Sequence, residues 1–140
     1  MDPQPTIVID HHRAIELLNQ VIAGNEDFVY PKRVGDMGVE YCDYVRDGQP
    51  SCIVGKALHL AGVSVEMLKR VENNRPLQKF WNDDLNRYVD FGEMLGIQLT
   101  WLAAIAFEEA QRIQDDGSSW GVAVRKATNY VTEKASSPQP

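Results

Sequence analysis

The sequence predicts a mainly α protein: a compact single-domain helical bundle with a minor β-hairpin or short sheet. Three observations carry that expectation. Several stretches repeat apolar residues at helical spacing and begin at an Asp, Ser or Thr placed to cap them. Residues 101–107, WLAAIAF, are apolar on every side, as a helix at the centre of a core must be. Residues 41–46 alternate like a strand and run into Asp47-Gly48-Gln49-Pro50, a set of residues that permits tight reversal before a helix begins. With 140 residues, 44% of them hydrophobic, the chain suits one core. The globular domain is expected over residues 6–134, with residues 1–5 and the tail 135–140 disordered.

In order, Thr6-Ile7-Val8-Ile9 is β-branched and reads as an extended arm or edge strand. Asp10 caps a helix over 11–23, whose Ala14, Ile15, Leu18, Val21 and Ile22 form one apolar face, and Gly24 stops it. Residues 25–40, with Pro31, Gly35 and Gly38, read as a loop that Phe28, Val29 and Tyr30 pin onto the core. After the turn at 47–50, Ser51 is the expected N-cap, Cys52 the first helical residue and Gly62 the left-handed C-cap. Gly55 gives that helix a face for close packing. Ser64 caps a short helix over 65–71 that Asn73 and Asn74 end.

Pro76 suits a first helical turn, with Leu77, Phe80 and Trp81 as an apolar cluster. Leu85, Tyr88, Val89 and Met94 predict a further helical segment ending near Gly96. Thr100 caps the longest helix, 101–116, whose second half, EEAQRIQDD, is polar and expected in solvent. Gly117 stops it, and Ser118 or Ser119 opens a last helix. There Trp120, Ala123, Val124, Ala127, Tyr130 and Val131 form the buried stripe, with Trp120 its anchor, and Lys134 lies near the favourable C-terminal end.

Twenty acidic and fourteen basic residues give a net charge of −6. Residues 83–116 hold eight acids against Arg87 and Arg112, so the whole excess lies there. A nucleic-acid binder carries a basic stripe, and none is expected as partner here. No apolar run approaches the roughly 18 to 20 residues that span a bilayer, and the first residues lack a signal-peptide pattern. A cytoplasmic location without membrane attachment is the expectation. Glu108, Glu109, Asp115 and Asp116 are the candidate interaction surface, and a solvated helix face is the simpler account of them.

The candidates for chemistry are Cys52, His59, His11 and His12. A thiol at a helix N-terminus is favoured as thiolate. The series Cys52, Ala57, Leu58, Gly62 resembles the nucleophile helix of papain-like peptidases, which pair the cysteine with a downstream histidine base. His59 is the only later histidine, two turns along the same helix, beyond hydrogen-bond reach. His11 or His12 would have to fold back to serve, so a small buried cysteine is the better reading. Cys42 and Cys52 are brought close by the turn, and both thiols are expected to stay reduced. The spacing of Cys42, Cys52 and His59 fits no zinc pattern, and the paired carboxylates of 108–116 lack a Glu-x-x-His partner. Asp10-His11-His12 resembles the DHH phosphoesterases over three residues, in a chain too short for their two domains. No metal and no cofactor are expected.

A wider resemblance follows from the order of elements across residues 6–130. Asp47-Gly48-x-Pro50-Ser51-Cys52-x-Val54-Gly55 and Asp116-Gly117-Ser118-Ser119-Trp120-Gly121 are its most distinctive parts. In both, the chain is similar to small accessory proteins of actinobacteria and their phages, including mycobacteriophages. The resemblance implies a phage-type context and no particular activity. The leading expectation is a non-enzymatic accessory protein that binds a host or phage protein or associates with itself. The alternative is a small thiol-dependent hydrolase using Cys52 with a histidine from the N-terminal helix.

Overall fold

The computed structural model describes residues 6–31, 33–34, 40–41 and 43–136. In chain order its elements are β1 (Val8–Ile9), α1 (His11–Ile22), β2 (Arg33–Val34), β3 (Glu40–Tyr41), β4 (Val45–Arg46), β5 (Gln49–Pro50), α2 (Ile53–Leu60) and α3 (Val65–Lys69). There follow β6 (Lys79–Asn82), β7 (Arg87–Asp90), α4 (Phe91–Leu95), β8 (Gln98–Leu99), α5 (Trp101–Asp115) and α6 (Trp120–Ser136). The chain is mainly helical, and among the described residues its strands form four separate pairs: β1–β8, β2–β3, β4–β5 and β6–β7.

Helices α1, α5 and α6 pack on one another, and α2 closes the bundle against α1 and α5. Their starts follow the caps: Asp10 accepts from Arg13 N–H at 2.8 Å and Thr100 from Ala103 N–H at 3.1 Å. Ala103 to Phe107 are all buried, as an all-round apolar run requires, but Trp101 at the head of that run is 61% exposed. The second half of α5 stays inside, because Ala110 and Ile113 share a face with Gln111 and Gln114, and all four are buried. The expectation that this half emerges into solvent therefore fails: both glutamines find fixed partners. Gln114 Oε1 accepts from Ile53 N–H at 2.9 Å and from the Trp120 indole at 3.1 Å, and Gln111 Oε1 accepts from the Tyr44 hydroxyl at 2.8 Å.

The unit at 43–62 is tied on all sides. Asp47 and Gly48 both take positive φ at the tip of the β4–β5 hairpin, the geometry that two-residue hairpin turns need. Gln49 and Pro50 are thus strand residues rather than turn residues. Glu72 spans the hairpin's start, its two carboxylate oxygens accepting from Tyr44 N–H at 2.7 Å and Val45 N–H at 3.1 Å. The N-cap of α2 is Cys52 and not Ser51; its sulfur accepts from Gly55 N–H at 3.5 Å. Ser51 Oγ instead meets the Tyr30 hydroxyl at 2.7 Å. Gly55 is pressed against Tyr44: a Cβ there would strike the Tyr44 carbonyl oxygen and lie 3.1 Å from Tyr44 C and Cα.

Two further departures matter for the surface. The segment expected as a helix before Gly96 is the β6–β7 hairpin followed by the five-residue α4, capped by Asp90 in a reciprocal pair with Glu93. Leu85, Tyr88 and Val89 mimic helical spacing, but Asn82 to Asn86 form a reversal in which Asn86 takes φ 53°. Tyr130 lies outside the buried stripe of α6 and is 41% exposed. That helix also runs to Ser136, so Ala135 and Ser136 are helical and not tail. Residues 1–5 and 137–140 lie outside the described residues. The N-terminal arm is a strand: β1 pairs in parallel with β8, Val8 opposite Gln98 and Ile9 opposite Leu99.

Candidate functional site

The thiol candidate loses its chemistry on burial. Cys52 is fully buried and disulfide-bonded, which corrects the expectation of a reduced thiol. The chain has one other cysteine, Cys42, which lies outside the described residues. A sulfur held in a disulfide beneath the core offers no thiolate to a substrate. The histidines sit apart from it. His59 is exposed and its Nδ1 lies 3.0 Å from the Val63 carbonyl oxygen. It lines a cavity of about 550 Å³ with Gln20, Gln49 and Lys56, into which Cys52 does not reach. His11 and His12 stand at the first turn of α1 with their rings 4.0 Å apart. Among the described residues, no group of three His, Cys, Asp or Glu side chains could hold a metal ion.

The acidic candidates are answered by arginines of the same chain. Arg75 Nε donates to both Glu108 oxygens at 2.9 and 3.1 Å, and its NH1 approaches Asp115 at 3.9 Å. Arg112 pairs with Glu109 at 2.7 Å and with Asp116 at 3.6 Å, and these carboxylates hold its guanidinium pKa above the ordinary value. Glu108, Glu109 and Asp115 are each less than one-fifth exposed, while Asp116 is open to solvent. The pairing anchors the loop after α3 onto α5.

The open surface lies elsewhere, on and beside β6–β7. Register places Trp81 opposite Tyr88 and Lys79 opposite Asp90. Strand alternation puts these four on one face, with Phe80 and Val89 turned to the other, where Val89 is buried. The Trp81 and Tyr88 rings meet edge to face at 5.2 Å, and the Trp81 indole donates to Asp83 at 2.7 Å, which fixes its orientation. Trp81, Leu85, Tyr88 and Trp101 are each more than half exposed, and Leu77 is 43% exposed. At the root of the hairpin, Leu77, Phe91, Leu99 and Trp101 wall a cavity of about 280 Å³ with Lys79 and Asp90 at its edge. Gly92 floors it so tightly that a Cβ would come within 2.9 Å of Leu99 Cβ.

Comparison with known protein families, curated proteins and solved structures finds no match for this chain. Sequence reasoning assigns Trp81 to an apolar cluster, Tyr88 to a helical segment and Trp101 to a buried helix, because an apolar residue on a periodic stretch defaults to the interior. One signal points the other way. The five polar residues Asn82, Asp83, Asp84, Asn86 and Arg87 surround a lone Leu85, which suits an exposed hairpin tip better than a helix.

Proposed function

We propose that this is a non-enzymatic interaction protein that docks a protein partner on the outer face of the β6–β7 hairpin and the adjoining Trp101 cavity. The observation that carries the reading is the exposure of two of the three tryptophans, Trp81 and Trp101, beside an exposed Tyr88 on a hydrogen-bonded hairpin. Large aromatics are costly to leave in water and are enriched at the energetic centres of interfaces. Clustering is the point: half of the large apolar side chains exposed among the described residues fall between Leu77 and Trp101. The resemblance to small proteins of actinobacteria and their phages supports a partner drawn from the host cell or the phage.

The test uses the intact protein as bait and a Trp81→Ala, Trp101→Ala double variant as control. A discrete species retained by the first and lost by the second, with equal melting temperatures, supports the reading. Equal retention by both moves the docking surface away from the hairpin.

A further inference from the structure

Resting on that docking reading, we infer that the partner presents an extended basic segment, with a Lys or Arg side chain over the Trp81–Tyr88 pair and a bulky apolar side chain in the Leu77–Trp101 cavity. Charge complementarity supports the first half. The outer face and tip of the hairpin carry one base, Lys79, against Asp83, Asp84 and Asp90. The nearby guanidinium of Arg87 is on the opposite face by register and is held by Glu93 at 2.8 Å; it also attracts Asp90, so the negative excess rests chiefly on Asp83 and Asp84 at the tip. The Trp81 indole N–H donates in the ring plane to Asp83, so a carboxylate is held at the edge of the aromatic pair. A cation placed over the ring meets its negative face with that carboxylate at the ring's edge, and a guanidinium or ammonium is the group for which both attractions agree. An acidic segment would meet repulsion from Asp83 and Asp84.

The cavity supports the second half. Its walls are the apolar side chains of Leu77, Phe91, Leu99 and Trp101, and its floor is preformed by the close fit of Gly92. Lys79 touches this cavity and Trp81 lies two residues farther along the same strand face. Two residues of strand cover roughly 6 to 7 Å, so an extended segment lying along β6 reaches both places with side chains that share one of its faces. An anchor in a preformed cavity supplies affinity, and the cation over the aromatic pair supplies sign selectivity.

The experiment is selection of random dodecapeptides displayed on yeast, panned on the intact protein. Isolated peptides are then titrated against wild type, Trp101→Ala, and an Asp83→Asn, Asp84→Asn variant that removes charge and keeps every ring. The amide oxygen introduced by Asp83→Asn can still accept the indole N–H. The inference expects enriched peptides that are net basic and carry a bulky apolar residue. Their affinity should fall about tenfold or more on Trp101→Ala, about tenfold on the charge variant, and steeply with added salt. Enriched peptides that need Trp101 but are neutral or acidic overturn this inference and leave the docking surface standing. Peptides that bind all three proteins alike, or no enrichment at all, overturn the docking surface itself. Sedimentation of the free protein closes the remaining route: a dimer abolished by Trp101→Ala makes a second copy the occupant and overturns the basic segment.

Discussion

Trp101 and Trp120 occupy the same place in their helices and have opposite fates. Each is the first residue of a long helix, and each follows a hydroxyl residue that caps it: Thr100 accepts from Ala103 N–H, and Ser119 from Val122 N–H at 3.3 Å. Yet Trp120 is 3% exposed and Trp101 is 61% exposed. The difference lies in what each helix start meets. Gly121 lets the start of α6 abut the loop before it, Gly121 N–H donating to Glu26 O and Trp120 N–H to Phe28 O, both at 2.8 Å. The indole then finds the Phe28 ring at 4.6 Å and the buried Gln114 amide oxygen. The Trp101 ring instead lines an open cavity with Leu77, Phe91 and Leu99, so no wall closes over it. Local sequence sets the cap and the helix; the opposing surface decides whether the first side chain becomes core.

The strongest way to break this comparison is on the buried side. Trp120→Ala removes a packed indole and one of the two hydrogen bonds to Gln114 Oε1, so it should cost about 3 to 5 kcal/mol, much of a small domain's stability. A chemical-denaturation midpoint close to wild type would show that the indole is not core. Next is Gly55→Ala. The added methyl meets backbone atoms of Tyr44, which cannot rotate away as a side chain could, so a cost of about 3 kcal/mol is expected. An unshifted thermal melt would mean that α2 stands off from the hairpin. Reduction of the disulfide is third. Denatured but unreduced protein should show no free thiol, and reduction should lower stability by about 2 to 3 kcal/mol. Two titratable thiols in the denatured, unreduced protein would return Cys52 to the reduced state.

A subtler probe of the interior is pH. Tyr44 is fully buried, and desolvation holds its hydroxyl protonated far above the ordinary value of 10.0. The folded chain thus binds this proton more tightly than the unfolded chain does. Below pH 10 both states are protonated and Tyr44 adds no pH dependence. Above it the unfolded chain ionises first, and stability should fall by up to about 1.4 kcal/mol per pH unit. Denaturation midpoints followed from neutral pH to about pH 11 should stay level and then drop. A drop equally steep in Tyr44→Phe would assign the effect to other groups, Tyr30 first among them, since burial raises its pKa too.

How far the sequence reaches can be judged element by element. The helices α1, α5 and α6 were legible, because caps and periodicity are local and long enough to agree. The β6–β7 hairpin was not: Leu85, Tyr88 and Val89 satisfy a helical template, and a short segment can fit both periods. The β1–β8 pair was beyond reach because Val8 and Gln98 are joined only by the fold between them. Gln111 and Gln114 read as solvent-facing because nothing local announces that Tyr44, Ile53 and Trp120 supply their partners. The exposed aromatic face was hidden for the same reason as the buried glutamines, in reverse. Burial belongs to pairs of surfaces, and a single sequence shows only one surface at a time.

The smallest expected effect on stability is the one that sharpens the comparison most. Trp101→Ala deletes the same side chain as Trp120→Ala, from the same helix position, behind the same type of cap. Because the ring is more than half in water, its removal should change folding stability by no more than about 0.5 kcal/mol, and alanine suits a first helical turn at least as well. Its fluorescence should report an indole readily quenched by a neutral solute such as acrylamide, whereas Trp120 should resist quenching. In the Trp81→Phe, Trp120→Phe background Trp101 becomes the sole tryptophan, so quenching can be read from it alone. A basic, apolar-anchored peptide should then protect it. Ready quenching without the peptide, protection with it, and an unchanged melt for Trp101→Ala together describe a ring that folding leaves open and binding covers. A large loss of stability in Trp101→Ala would instead make the two tryptophans equivalent and return the head of α5 to the core.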